Sequence, residues 1–195
     1  MNERKISWAN WSITSRKETS AALKYIARAE GGWADSDLTE SGLLVRSLIR
    51  GQESAITLFA DGFETGNFIA GWKIKNAGID RINPYQGYAA ALLKRQSSLI
   101  KEFSTEAFKN IQLQFAYKSE NWAEGDFIKV EWFDGNNWQL LKSLEASQGW
   151  TKLTLTLPEK ADNNFQFQFR FVSAFSSENA EASLDEISLI MDRIK

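Results

Sequence analysis

Phe165-Gln166-Phe167-Gln168-Phe169-Arg170-Phe171 alternates apolar and polar side chains along its whole length, and Val172 follows. This is the two-residue period of a β-strand with one face buried and the other wet. Ile187 and Leu189 repeat it in Ser183-Leu-Asp185-Glu-Ile-Ser-Leu189. Working outward, the chain from Ala55 onward reads as a succession of short strands at 56–60, 72–76, 89–93, 111–118, 127–133, 138–144, 152–157, 165–172 and 183–191. Turn residues punctuate them: Asn83-Pro84, Asp134-Gly135-Asn136-Asn137, Gln148-Gly149, and Pro158 with Asp162-Asn163-Asn164. No helical segment between them is long enough for a parallel crossover, so the strands are expected to pair antiparallel and stack as an all-β sandwich over residues 55–195.

The preceding residues, 1–54, differ in period. Ser15 with Glu18 reads as a capping box, Ala22, Tyr25, Ile26 and Ala29 fall on one helical face, and Gly31-Gly32 supplies a stop. One short helix is predicted there, flanked by strand-like 5–14 and 43–50 and by a polar connector at 33–40. The segment reads as an N-terminal extension or the tail of a preceding module.

Composition narrows the chemistry. A net charge of -2 with no Lys/Arg cluster lacks the electrostatic footprint of a nucleic-acid binder. With no cysteine there is no disulfide framework or thiolate nucleophile, and with no histidine there is no Ser-His-Asp triad or imidazole-held zinc within this chain. No segment approaches the ~18–20 apolar residues of a membrane span, and Met1-Asn-Glu-Arg-Lys5 leads into no apolar signal core, so an export signal is expected upstream of this chain. Asp185 shares the parity of Ile187 and Leu189 and is predicted to face the core side. An ionised carboxylate there needs a partner, which a hard cation shared with Glu64 would supply.

An ordered series of motifs carries a family likeness. It runs through Asp61-Gly-Phe-Glu64-Thr-Gly66, Gly71-Trp72, Gly87-Tyr-Ala-Ala-Ala-Leu92, Phe115-Ala-Tyr-Lys118 and Val130-Glu-Trp-Phe-Asp-Gly-Asn-Asn-Trp138, then Gly149-Trp150, the Phe-x-Phe-x-Phe strand and Leu184-Asp-Glu-Ile187. Residues 58–191 thereby resemble the jelly-roll domains related to MAM domains and to carbohydrate-binding modules of bacterial exported proteins. The resemblance implies a jelly-roll β-sandwich, an extracellular or cell-surface location, and a structural cation, usually Ca2+, near the chain ends. Carried over, its ligands are Glu64 and Asp185, with Asp61 as a candidate third. Asp185-Glu186 stands where relatives commonly have two aspartates.

The outward parity of the strands collects Gln112, Gln114, Lys129, Glu131, Phe133, Lys152, Thr154, Thr156, Gln166, Gln168 and Arg170. If these share one sheet, amides and an Arg around the Phe133 ring suit sugar hydroxyls and an apolar sugar face. Trp122, in a polar loop, either plugs the sandwich end or is exposed for binding, whereas Trp72 and Trp132 read as core. Two acid pairs, Glu131 with Asp134 and Glu120 with Asp126, lack the Glu-x-Asp-x-x-Glu series of jelly-roll glycoside hydrolases. The expectation is therefore a non-catalytic, calcium-stabilised module that binds glycan or a protein partner. Its alternatives are a purely structural domain beside an enzyme and a glycoside hydrolase.

Overall fold

In a computed structural model Phe167, Phe169 and Phe171 are buried with Arg170 and Val172 on the opposite side, but the strand expected at 165–172 begins only at Gln168, and Phe165 lies exposed in the turn before it. The structure describes residues 21–24, 27, 33, 34, 37–39, 42, 43, 45, 46 and 55–194, and the chain divides into two units, Met1–Ser54 and Ala55–Lys195.

The second unit is built of nine strands: β1 (Ile56–Asp61), β2 (Trp72–Asp80), β3 (Ala90–Glu102), β4 (Phe108–Glu120), β5 (Phe127–Phe133), β6 (Trp138–Leu144), β7 (Thr151–Thr156), β8 (Gln168–Ala174) and β9 (Glu181–Arg193). Every pairing is antiparallel, in the order β6-β5-β8-β3-β9-β4-β7, with β1 also on β9 and β2 also on β3. Continuous hydrogen bonding folds into two layers because β3 changes partner along its length. Ala91–Lys94 pair with β9, and Ser98–Glu102 pair with β8. One layer is therefore β1, β9, β4 and β7, the other β6, β5 and β8, and β2 with β3 runs through both.

The corner is chemically specified. Asn76 and Arg95 adopt positive φ (50° and 52°), and the β2–β3 register slips between Lys75 and Ala77. Such a bulge frees backbone groups that must find other partners. Ser97 and Ser173 supply them: the Ser97 hydroxyl donates to the Asn76 carbonyl (2.7 Å) and accepts from the Lys94 amide (3.0 Å), while the Ser173 hydroxyl donates to the Arg95 carbonyl (2.9 Å) and accepts from the Ser97 amide (3.0 Å). Asn76 Nδ2 also donates to the Gln96 carbonyl at 3.1 Å. The sequence reading ended this strand at residue 93, because polar Lys94-Arg95-Gln96 looks like a loop when the strand beyond it cannot be seen.

Between the layers, rings interlock edge to face. Phe115 of β4 meets Phe171 of β8 with centroids 5.0 Å apart, and Phe59 of β1 meets Trp72 of β2 at 5.5 Å and Phe169 of β8 at 6.4 Å. Such pairs add to the burial of large apolar area. In β9 a bulge opposes both Glu186 and Ile187 to Phe115 of β4, with Glu186 at φ 49°. It changes the inward parity from Leu184 to Ile187 and leaves Asp185 buried between them.

In the first unit two expectations are corrected. Ala21–Lys24 is not helical: Leu23 forms an antiparallel bridge with Leu38, and the Lys24 amide donates to the Asp37 carbonyl at 2.8 Å. Ala27 is not helical either, and the other residues of the predicted helix, including Ser15, Glu18, Tyr25, Ile26 and Ala29, lie outside the described residues, as does 5–14. Where a strand was expected at 43–50, Gly42, Leu43, Val45 and Arg46 are helical. The overlooked start signal is Thr39, whose hydroxyl accepts the Gly42 amide (3.1 Å) while its carbonyl accepts the Leu43 amide (2.9 Å).

Phe171 touches both layers, so Phe171→Ala should leave a cavity that a sandwich cannot close by collapse, costing about 3–5 kcal/mol. Urea unfolding of the variant is expected to show a lower midpoint with an unchanged slope. A midpoint within error of the parent would mean that the layers do not depend on this contact.

Candidate functional site

Strand register arranges the outward face of the β2-β3-β8-β5-β6 layer as a grid. One row across the strands is Lys75, Ser98, Val172, Lys129 and Ser143, and the next is Lys73, Ile100, Arg170, Glu131 and Leu140. A third is Glu102, Gln168, Phe133 and Trp138. Facing residues in a row point the same way. Phe133 and Trp138 are joined through the Asp134–Asn137 turn, where Asp134 Oδ1 accepts the amides of Asn136 (2.9 Å) and Asn137 (2.8 Å), which hold its carboxyl below the usual carboxylate range. Their rings lie 5.5 Å apart, and the Arg170 guanidinium sits 4.0 Å from the Trp138 centroid while its Nε donates to Glu131 Oε2 at 2.5 Å. Stacked on one side and bonded on the other, Arg170 has little rotameric freedom left, as an oriented polar group beside an aromatic platform requires. Next to it opens a groove of about 420 Å³ lined by Lys75, Ser98, Phe127, Lys129, Glu131 and Arg170, among others.

The acidic residues gather at a sandwich end, where the loop entering β3 folds over the β9 bulge. Asp185 is wholly buried, and its Oδ2 accepts the amides of Tyr85 (2.9 Å) and Gln86 (3.1 Å) while Oδ1 accepts that of Glu186 (2.7 Å). Burial pushes its carboxyl up to about 6 despite these bonds, and the neighbouring Glu186 carboxylate adds to the rise. Glu64 receives the Tyr88 amide on both oxygens (3.1 and 2.9 Å). Gly87 makes this possible, since it has φ 69° and a Cβ there would lie 2.2 Å from Glu64 Oε1. Asp61 is committed elsewhere, with Oδ1 accepting the Phe63 amide (2.8 Å) and Oδ2 the Trp72 indole N–H (2.8 Å). Its charge also acts on Lys101, whose amine burial pushes below the usual lysine value, with Asp61 opposing that shift. Among the described residues no three acidic side chains converge as metal ligands, so a cation at Asp185 would have to complete its shell with backbone oxygens. The site fits a cation in one respect: Asp185 is a buried anion beside a second carboxylate, and among the described residues no lysine or arginine pairs with it.

The expected binding face is divided by the topology. Phe133, Gln168 and Arg170 stand together, and Gln166 lies beside them against the Gly135 turn. Gln112 and Gln114 belong to β4, opposite Thr156 and Thr154 of β7 in the other layer, so they cannot share a ligand with Phe133. Trp122 is half-buried, donates its indole N–H to the Glu181 carbonyl (2.8 Å) and packs on Phe175 at 5.1 Å, which is the plugging role. The acid pairs have structural partners: Glu120 bonds Lys118, Glu131 bonds Arg170, and Asp126 accepts the amides of Ala123 and Ser176. Sequence reading missed Trp138 and Lys75. Trp138 was within reach, because a short turn places it opposite Phe133, whereas Lys75 joins the face only through pairings between distant segments.

No family model matches the chain. Among curated proteins it is similar to an endoglucanase of Clostridium saccharobutylicum, 44% identical over 63 residues, which are 32% of this chain and 14% of that protein. It is also similar to endoglucanase A of Evansella cellulosilytica, 52% identical over 50 residues, 26% of this chain and 10% of that protein. The matches thus span only about a tenth to a seventh of those relatives. Among solved structures, the CBM22-1 xylan-binding domain of Xyn10C from Paenibacillus barcinonensis aligns with TM-score 0.57 at 15% identity, covering 73% of this chain and 99% of that domain. TmCBM61 in complex with beta-1,4-galactotriose aligns with TM-score 0.53 at 18% identity, covering 66% and 92%. The sandwich has the fold of carbohydrate-binding modules. Of the two families in the expected resemblance, this is the one the aligned structures represent.

Within this carbohydrate-binding-module fold, Asp185 sets a pH dependence. Its folded-state value is raised from 3.8 to about 6, so between these values the native state holds a proton that the unfolded chain has released. In chelator, stability should therefore rise as pH falls from ~7 to ~5, a window above the range in which the depressed carboxyls of Asp126 and Asp134 act. Thermal melting should show this rise in the parent and a flatter profile in Asp185→Asn. Equal slopes in the two would exclude Asp185 as the titrating group.

Proposed function

We propose that residues 55–194 form a non-catalytic carbohydrate-binding module that holds a glycan chain on the outward face of the β2-β3-β8-β5-β6 layer, in a protein working outside the cell. The observation that carries the reading is the row Gln168, Phe133 and Trp138 with Arg170 fixed over the indole. An aromatic platform offers an apolar surface to a sugar ring, and immobilised amide and guanidinium donors beside it meet hydroxyls at small entropic cost. The endoglucanase matches support a catalytic neighbour: part of this chain resembles proteins named endoglucanases, and a binding module beside a catalytic region fits that partial likeness. A structural calcium at Asp185 and Glu64 belongs to the same proposal, supported by the uncompensated buried carboxylate.

Pull-down on insoluble xylan and affinity electrophoresis in xylan and β-1,4-galactan test the binding face. Trp138→Ala and Phe133→Ala should each weaken retention at least about tenfold, as truncation of a central aromatic does, while Gln112→Ala on the other layer leaves it unchanged. Retention unaffected by both aromatic truncations would move the site off this face.

For the cation, a ligand of the native state alone stabilises by about 2.7 kcal/mol at a hundredfold excess over Kd. The melting temperature is expected to climb with calcium and fall back with chelator, and Asp185→Asn should abolish the response. A melting temperature indifferent to both additions would remove calcium from the proposal.

A further inference from the structure

We propose that the groove between Lys75 and Lys129 selects glycans that carry carboxylates, such as uronate-substituted chains; this deepens the glycan-binding reading of the same face and rests on it. Register supplies the geometry. Lys75 pairs with Ser98, Ser98 with Val172 and Val172 with Lys129, so the two lysines close the ends of one row across four strands. At strand spacings of ~4.8 Å their backbones stand ~14 Å apart. The short side chains of Ser98 and Val172 form the floor between them, with Ala174 adjoining. Each lysine stem can lean over that floor while the ammonium remains in water.

Charge makes the groove selective. It is lined by Lys75, Lys129 and Arg170 against a single carboxylate, Glu131, although the whole chain carries -2. Glu131 is already bonded to Arg170. Among the described residues neither Lys75 nor Lys129 has an ion-pair partner, in contrast to Lys73 on the same face, which is paired with Glu102 at 2.6 Å. Lys129 is steadied over the Phe127 ring at 5.2 Å, which directs it to the groove wall. A carboxylate on a sugar above Ser98 would meet two unneutralised ammonium groups and a hydroxyl, whereas a neutral chain gains only ordinary hydrogen bonds. These contacts are open to water, so each is modest and sensitive to salt.

The test is calorimetry and affinity electrophoresis of the full 195-residue chain with glucuronoxylan, and with the same polymer after its carboxyl groups are reduced to alcohols. Both are run at ~20 and ~300 mM sodium chloride, on either side of a Debye length of ~10 Å. The acidic polymer is expected to bind about fivefold more tightly at low salt, from two exposed charge contacts. That preference should vanish at high salt and in the double variant Lys75→Gln with Lys129→Gln, for which the two polymers should bind alike. Equal affinity for the two polymers, or a preference that survives the double substitution, would overturn the inference and leave the module reading intact. Binding of neither polymer would overturn both.

Discussion

The corner at Asn76 and Arg95 is the constraint on which the rest of the sandwich depends. A strand of thirteen residues cannot serve two layers unless its backbone turns, and turning costs ladder hydrogen bonds. Two serines from separate strands replace those bonds, Ser97 within β3 and Ser173 from β8. With the corner closed, one end of β3 lies against β9 and the other against β8, which sends those two strands into different layers. It also sets the outward face proposed for binding, because Lys75 and Ser98 flank the bulge and enter the same row as Lys129.

A second irregularity governs the acidic end. The β9 bulge at Glu186 buries Asp185 without a cationic side chain among the described residues, and three backbone amides turned toward it offset only part of the desolvation. Two of these amides, those of Tyr85 and Gln86, belong to the loop that enters β3, so the carboxylate ties that loop to the last strand. Glu64 holds the loop again one residue beyond Gly87. Two anions thus anchor one loop through its backbone, and the charge they leave unmatched is what makes a cation there physically reasonable.

On the outward face, stability and recognition draw on different groups. The Arg170 pairing with Glu131 and stacking on Trp138 orders the platform, since a half-buried guanidinium held on two sides loses its freedom on folding rather than on binding. Among the described residues the ammonium groups of Lys75 and Lys129 make no ion pair, unlike Lys73, which is paired with Glu102.

Local pattern carried much of this protein. Alternation in 127–133 reads directly as β5, since a strand with one face in a core must repeat every second residue, and the short turn after it points to a hairpin partner at 138–144. The Phe133–Trp138 hairpin lies close to that level, because it follows from neighbours in the chain, whereas Asp185 owes its burial to the β9 bulge and to the distant loop at Tyr85 and Gln86. Parity, however, says only that a side chain faces out, and the outward sides of the two layers look alike in sequence. Gln112 and Gln114 therefore seemed to accompany Phe133 until the pairing of β4 with β9 and β7 set them on the other layer. The run Lys94-Arg95-Gln96 likewise conceals a strand, because its polar groups are satisfied by Ser97 and by Ser173 of a strand far along the chain. The amino-acid sequence by itself determined most of the strands after Ala55 and most of their buried positions, through short-range periodicity. Only the tertiary structure decided which outward faces coincide, because hydrogen-bond register joins segments whose separation in sequence leaves no periodic trace.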